Sequence, residues 1–126
     1  MIPNEKVILS LASDILLGAM RIGAGVLIIK PETVGYQALI QVPDGLRDHR
    51  FKELKRENAD AIVAMIENLA DARPSRTMIK QGKYKLEDGI KSLSVEIISI
   101  PPSLFSGNGE RRPTLLIFLE ERLGGV

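Results

Sequence analysis

The sequence lacks cysteine and tryptophan, and it contains a single histidine and few aromatic residues. Without cysteine the chain forms neither disulfides nor thiolate metal sites, and a reducing compartment is favoured over an oxidising one. One histidine, His49, is compatible with a catalytic triad but excludes a multi-histidine metal site. Because Asp48 and Arg50 flank it in a charged segment, we interpret His49 as a solvated side chain.

The chain also lacks a strong charge of one sign and a long uninterrupted apolar run. Its net charge of +1 is too close to neutral to indicate nucleic-acid binding by the whole molecule. Residues 7–29 are rich in apolar side chains, but polar and charged residues interrupt them, which fits neither a membrane span nor a signal peptide. At 126 residues, with 44% hydrophobic and 26% charged residues, we expect one cytoplasmic domain, 1–126, without membrane insertion.

Motifs for phosphate and dinucleotide binding are absent as well. The sequence has neither a Gly-x-x-x-x-Gly-Lys-Ser/Thr loop nor a Gly-x-Gly-x-x-Gly fingerprint. The carboxylate pairs Glu87/Asp88 and Glu120/Glu121 lie beside a turn or near the end of the chain, where solvent would level their pKa values. We therefore expect no enzymatic activity, no cofactor and no metal.

The pattern of apolar residues predicts an α+β fold of order α-β-β-α-β-β-β, with two main helices packed on a mixed or antiparallel sheet. Residues 59–70 have apolar side chains at helical spacing, with Asp60, Glu67, Asn68 and Asp71 facing away. The continuous apolar run 114–119 is typical of a strand buried on both faces. The predicted helices are 4–22 and 59–70, and the predicted strands are 26–30, 36–42, 78–86, 94–100 and 114–119.

The first predicted helix is apolar nearly all round. One face carries Val7, Leu11 and Ile15, and a second face carries Leu9, Leu16 and Met20, so two sides require cover. The helix is either wedged deep under the sheet, or its second face is covered by another subunit or domain. The sequence leaves both interpretations open.

Two further segments are candidates for partner contact. The thirteen residues 73–85 contain no acidic residue and five basic ones: Arg73, Arg76, Lys80, Lys83 and Lys85. This segment follows the helix predicted at 59–70, and the charged segment 47–56 precedes that helix. If these basic segments met, an acidic protein face would be a better partner than nucleic acid, because aromatic residues for base stacking are scarce. The loop that follows residue 107 reads as a hairpin tip or as a contact loop formed by Glu110, Arg111 and Arg112.

Several short motifs together resemble the N2 (PAS-like) domain of the ATPases of type II secretion and type IV pilus assembly, the GspE/PilB family. The matching stretches are Ala-Gly-Val-Leu-Ile-Ile-Lys-Pro at 24–31, Asp-Gly-Leu at 44–46 and Ile-Lys-Gln-Gly-Lys-Tyr at 79–84. The later stretches Ile-Ile-Ser-Ile-Pro-Pro at 97–102, Gly-Glu at 109–110 and Leu-Ile-Phe-Leu-Glu at 116–120 match as well. The resemblance covers nearly the whole chain and implies a PAS-like arrangement of helices and sheet.

This chain departs from that family at its polar positions. The Asp, His and Glu of the family's first strand are replaced by Val26, Ile28 and Lys30. The arginines of the Arg-Tyr-Arg strand are replaced around residues 39–41, and the arginine of the Val-Arg-Val strand is lost near residues 96–97. In the family these arginines are implicated in reaching nucleotide phosphates held by the neighbouring ATPase core, a role that does not carry over here.

The resemblance implies a non-catalytic interaction or regulatory domain associated with a secretion or pilus ATPase assembly. The alternative is a PAS-like module that senses a small ligand between the sheet and the helices. The expected partner is an ATPase ring, a motor component or a second copy of the chain, and nucleic acid is not expected. The residues predicted to contact a partner are Leu9, Leu16, Met20, Arg73, Arg76, Lys80, Glu110, Arg111 and Arg112.

Overall fold

A computed structural model describes residues 5–55, 57–70, 79–89, 91–102 and 110–123. In these ranges the fold has two α-helices, six strands and one 3₁₀ turn. The elements are α1 (Glu5–Arg21), β1 (Val26–Pro31), β2 (Tyr36–Val42), β3 (Gly45–Asp48), a 3₁₀ turn (Lys52–Lys55), α2 (Ala59–Leu69), β4 (Lys80–Asp88), β5 (Lys91–Ile100) and β6 (Thr114–Leu123).

The six strands form one antiparallel sheet in the order β3-β2-β1-β6-β5-β4. β1, β2 and β3 make one meander, and β4, β5 and β6 make a second one. Pairing of β1 with β6, from Val26 opposite Phe118 to Ile29 opposite Leu115, joins the two meanders at the centre of the sheet. The prediction of an α+β fold with two helices on the sheet is confirmed.

The third strand, β3, is not among the strands that the sequence predicts. β3 pairs with β2 from Leu39 opposite Asp48 to Val42 opposite Gly45, yet all four of its residues are exposed. Since none of its side chains is buried, β3 shows no alternation of apolar and polar residues that would predict a strand. Backbone pairing across the Pro43-Asp44 turn, rather than burial, forms it.

Among the described residues, helices cover only one face of the sheet, and this corrects the prediction for β6. Leu115, Ile117 and Leu119 are buried on the helix side, whereas Phe118 on the other side is 40% exposed. Because side chains alternate along a strand, a run of apolar residues places every second one on the uncovered face. β6 is thus buried on one face rather than on both.

The helix α1 buries one broad face and leaves several apolar side chains exposed. Leu16 is fully buried, with Ile15 and Ala12 beside it, so its predicted role in a partner-facing surface is wrong. Leu9 is 38% exposed and Met20 packs half-buried against the core. The predicted second face is therefore divided between the core and the surface. Within the described part of the chain, no helix is long and apolar enough to cross a membrane.

The edge strand β4 comes very close to the end of α2. A Cβ placed on Gly82 would overlap the backbone carbonyl oxygen of Ala70, so this crossing leaves room for hydrogen alone. Gly25, by contrast, has nothing near its ideal Cβ position and an ordinary backbone conformation. Gly82 is the residue that lets the sheet edge lie against the helix.

We expect Gly82→Ala to lower the free energy of unfolding by about 1–3 kcal/mol, because the added methyl forces backbone apart in a packed region. Gly25→Ala is the matched control and should leave the stability nearly unchanged. Chemical denaturation of both variants measures the difference. Equal stability of the two variants would show that β4 and α2 do not cross as closely as described.

Candidate functional site

Polar side chains converge at the turn between β1 and β2, and Arg112 lies at their centre. Its guanidinium donates from Nη1 to the carbonyl oxygen of Gly35 at 2.9 Å and from Nη2 to that of Glu32 at 2.5 Å. It also binds the Glu110 carboxylate in a bidentate manner, at 2.8 Å from Nε and 3.0 Å from Nη2. We call this group of Glu32, Gly35, Glu110 and Arg112 the arginine clamp.

Glu110 also binds the backbone of the two residues that follow it. One of its carboxylate oxygens accepts the backbone N–H groups of Arg111 at 3.0 Å and Arg112 at 2.9 Å. The hydrogen bond from the Arg112 side chain is the main cause that lowers the pKa of Glu110 to about 2, and the same contact raises the pKa of Arg112. The segment that leads into β6 is thereby fastened to the β1–β2 turn.

Tyr36 links the arginine clamp to α2. Its ring lies 5.2 Å below the Arg112 guanidinium carbon, close enough for a cation–π interaction. The hydroxyl donates to Asp60 Oδ1 at 2.6 Å, and burial of the ring raises the pKa of this hydroxyl. One arginine thus connects the turn, the sheet and the helix.

Three surface cavities of about 690, 330 and 310 Å³ surround the same turn. The charged groups that line the largest one are paired with each other, Lys55 with Glu32 and Arg112 with Glu110. The Lys55–Glu32 pair connects the β1–β2 turn to the 3₁₀ turn. The cavity of 330 Å³ lies between the β1–β2 turn and the start of α2, where Ala59 and Asp60 line it.

The second notable region is the open sheet face, which we define as the side of the sheet away from α1 and α2. Strand register aligns one aliphatic row across four neighbouring strands: Leu39, Ile28, Leu116 and Ile98. Val26 and Phe118 lie opposite each other in the next row. These side chains are half-buried except Phe118, which is exposed. Charged residues, among them Lys83 and Glu96 at 3.9 Å, border the aliphatic rows.

Several residues at which the sequence differs from the N2 domain that it resembles lie on this face. Val26, Ile28 and Lys30 alternate with the buried Leu27 and Ile29, so their side chains point to the open side. On β2 and β5 the open side receives Leu39, Gln41 and Glu96, whereas Ile40 and Ile97 are buried against the helices. Val26, Ile28 and Lys30 therefore share the open sheet face, whereas the stretches 39–41 and 96–97 place residues on both sides of the sheet.

The predicted contact residues occupy several different places. Glu110 and Arg112 belong to the arginine clamp, and Arg111 beside them is exposed. Lys80 begins the edge strand β4. Arg73 and Arg76 lie outside the described residues. β3 and β4 form opposite edges of the sheet, so the described parts of the two basic segments do not meet.

Sequence reasoning missed a buried carboxyl group on α2. Glu67 is only 2% exposed and accepts a hydrogen bond of 2.5 Å from the Ser99 hydroxyl on β5, so the prediction that it faces away is wrong. Glu67 follows Ile66 by one residue and Val63 by four, so helical spacing places it on the core side of α2. The sequence prediction placed it on the surface because its side chain is charged. Burial raises its pKa, and the Ser99 hydrogen bond opposes this in part.

The chain matches no protein-family model and no curated protein. Within the described ranges, no group of three or more carboxylate, histidine or cysteine side chains could hold a metal ion.

We expect Glu67→Gln to change how stability depends on pH. The folded-state pKa of Glu67 lies above its ordinary value of 4.5, so the native state holds this proton more tightly than the unfolded chain does. The contribution of Glu67 to stability is therefore present below pH 4.5 and is lost as pH rises through the folded pKa. Thermal unfolding between pH 4 and 7 should show a smaller loss for the variant than for the wild type.

The matched control for this measurement is Glu57→Gln, since Glu57 is exposed just before α2. It should retain the wild-type dependence on pH. If Glu67→Gln and Glu57→Gln gave the same profile as the wild type, Glu67 would not be buried as a carboxyl group.

For Glu110 in the arginine clamp, the expected change of stability with pH has the opposite sign to that of Glu67. The folded-state pKa of Glu110 is lowered to about 2 from 4.5, so its stabilisation is present above pH 4.5 and disappears as pH falls through about 2. Glu110→Gln should be less stable than the wild type at neutral pH, and the difference should shrink on acidification. Urea unfolding at several pH values measures this, with Asp14→Asn on the exposed side of α1 as the control. A difference independent of pH would contradict the ionic clamp.

Proposed function

We propose that this chain is a non-catalytic interaction domain that docks through its open sheet face onto an ATPase of the type II secretion or type IV pilus assembly type, in the cytoplasm. The observation that carries the proposal is the aliphatic row of Leu39, Ile28, Leu116 and Ile98 on a face that α1 and α2 leave uncovered. A sheet face that is exposed to water ordinarily carries polar side chains.

The composition of the face suits a protein partner. Cores of protein interfaces are depleted of charged residues and enriched in aromatic ones, and here Phe118 projects from the middle of β6 beside Val26. Glu96 and Lys83 at the border supply charges that can orient a partner without being deeply buried. The face thus combines an apolar centre with a polar rim.

The resemblance suggests which partner this is. In the family, arginines of the matching strands are implicated in reaching the nucleotide held by the neighbouring core. The matching stretches here are 39–41 and 96–97, of which Leu39, Gln41 and Glu96 lie on the open sheet face while Ile40 and Ile97 are buried. Aliphatic and amide side chains cannot bind phosphate as guanidinium does. We infer that docking is retained while the contribution to nucleotide binding is lost.

The experiment is a binding measurement between the purified chain and a purified hexameric ATPase of this type from the same organism. The double variant Ile28→Gln/Leu116→Gln places two amides in the aliphatic row and should weaken binding about tenfold or more. Leu9→Gln on the exposed side of α1 is the matched control, because it makes the same change on another surface.

Two results would overturn the proposal. The first is an absence of binding between the wild-type chain and the ATPase under conditions where both proteins are folded. The second is binding that Leu9→Gln weakens and the double variant does not, which would move the contact to α1. Circular dichroism of each variant confirms that the fold is intact.

A further inference from the structure

The strand β4, Lys80–Asp88, forms one edge of the sheet with nine residues. On its inner side every residue pairs with β5, and in the described part of the chain no strand lies beyond it. An edge strand presents a row of backbone N–H and C=O groups that can pair with another strand. The opposite edge, β3, has only four residues.

We propose that β4 pairs antiparallel with β4 of a second copy, which joins two six-stranded sheets into one. The order of charges along the strand selects this partner: Lys80, Lys83 and Lys85 occupy its first part, and Glu87 follows near its end. A strand with this polarity is complementary to itself when reversed. A parallel partner, or a wholly basic one, would place like charges together.

The order of charges along β4 also distinguishes between the possible registers of the β4–β4 pair. A two-fold axis through Tyr84 would set Lys83 opposite Lys85 twice, and an axis through Lys85 would set that lysine opposite its own copy. An axis through Leu86 sets Lys85 opposite Glu87 twice and places no like charges opposite each other. Opposite charges across a strand pair stabilise it and like charges destabilise it, so the Leu86-centred register is favoured.

The exposure of the side chains agrees with this register. Lys85 and Glu87 are exposed on the open side of β4, so they are available for two ion pairs with a second copy. Leu86 points to the helix side and is nearly buried, at 9% exposed. The two copies of Leu86 would contact each other across the two-fold axis. The pairing would extend over residues 84–88, from Tyr84 opposite Asp88 through Leu86 opposite its own copy, because β4 ends at Asp88 and Gly89 lies in a turn.

The geometry of the pair has a consequence for docking. A two-fold axis perpendicular to the sheet leaves both helix layers on one side and both open sheet faces on the other. The dimer would then present two identical docking faces in the same direction. Two linked sites bind a repeating surface more tightly than one site does. The pairing uses the backbone edge of β4 with Lys85 and Glu87, whereas the proposed docking uses the aliphatic row of Leu39, Ile28, Leu116 and Ile98, so each can fail without the other.

The test is the dimerisation of the full chain, measured by sedimentation equilibrium over a wide range of concentration. Lys85→Glu and Glu87→Lys each turn two opposite-charge pairs into like-charge pairs, and each should weaken the dimer about tenfold or more. A mixture of the two variants restores both opposite-charge pairs and should dimerise like the wild type. Lys30→Glu, on the open sheet face, is the control and should not change the association.

Each other outcome overturns the proposal. A chain that stays monomeric at every concentration excludes the pairing. A dimer that neither charge reversal weakens is held by another surface, and one that Lys30→Glu weakens is held by the open sheet face. Failure of the mixed variants to associate would exclude the Leu86-centred register.

Discussion

The pairing of β1 with β6 is the contact on which the rest of the structure depends. Each three-stranded meander is local in the chain, and this short central ladder joins them into one sheet. The arginine clamp fastens the same junction from the end, because Arg112 just before β6 holds the β1–β2 turn through two carbonyl oxygens. Aligning β1 and β6 also brings Ile28 beside Leu116, which makes the apolar part of the open sheet face continuous.

One-sided cover of this sheet produces both the core and the candidate docking surface. The helices bury Leu27, Ile97 and Ile117, all fully inaccessible to solvent. Hydrophobic burial stabilises that side by roughly 25 cal/mol per Å² of apolar surface removed from water. Alternation along the same strands turns Ile28, Ile98 and Leu116 to the opposite side, which α1 and α2 do not cover.

The elements with strong apolar periodicity were predictable from the sequence, whereas those without such a pattern, or formed by contacts distant in the chain, were not. Both helices and five strands follow from apolar spacing, but β3 is held by backbone pairing without burial and carries no such pattern. Glu67 was assigned to the surface on account of its charge, although its partner Ser99 is 32 residues away. The arginine clamp joins residues about 80 apart, so no local pattern could separate Arg112 from the exposed Arg111 beside it. That the aliphatic residues share one open face required the strand register.

The most direct test of the docking account is a methyl NMR titration of the isoleucine- and leucine-labelled chain with the ATPase. The account predicts that signals of Ile28, Ile98 and Leu116 on the open sheet face broaden or shift first. Signals of Ile62 and Ile66, buried between α2 and the sheet, should respond little. Changes confined to Leu9 and other exposed positions of α1, with the open-face methyl groups unaffected, would contradict the account.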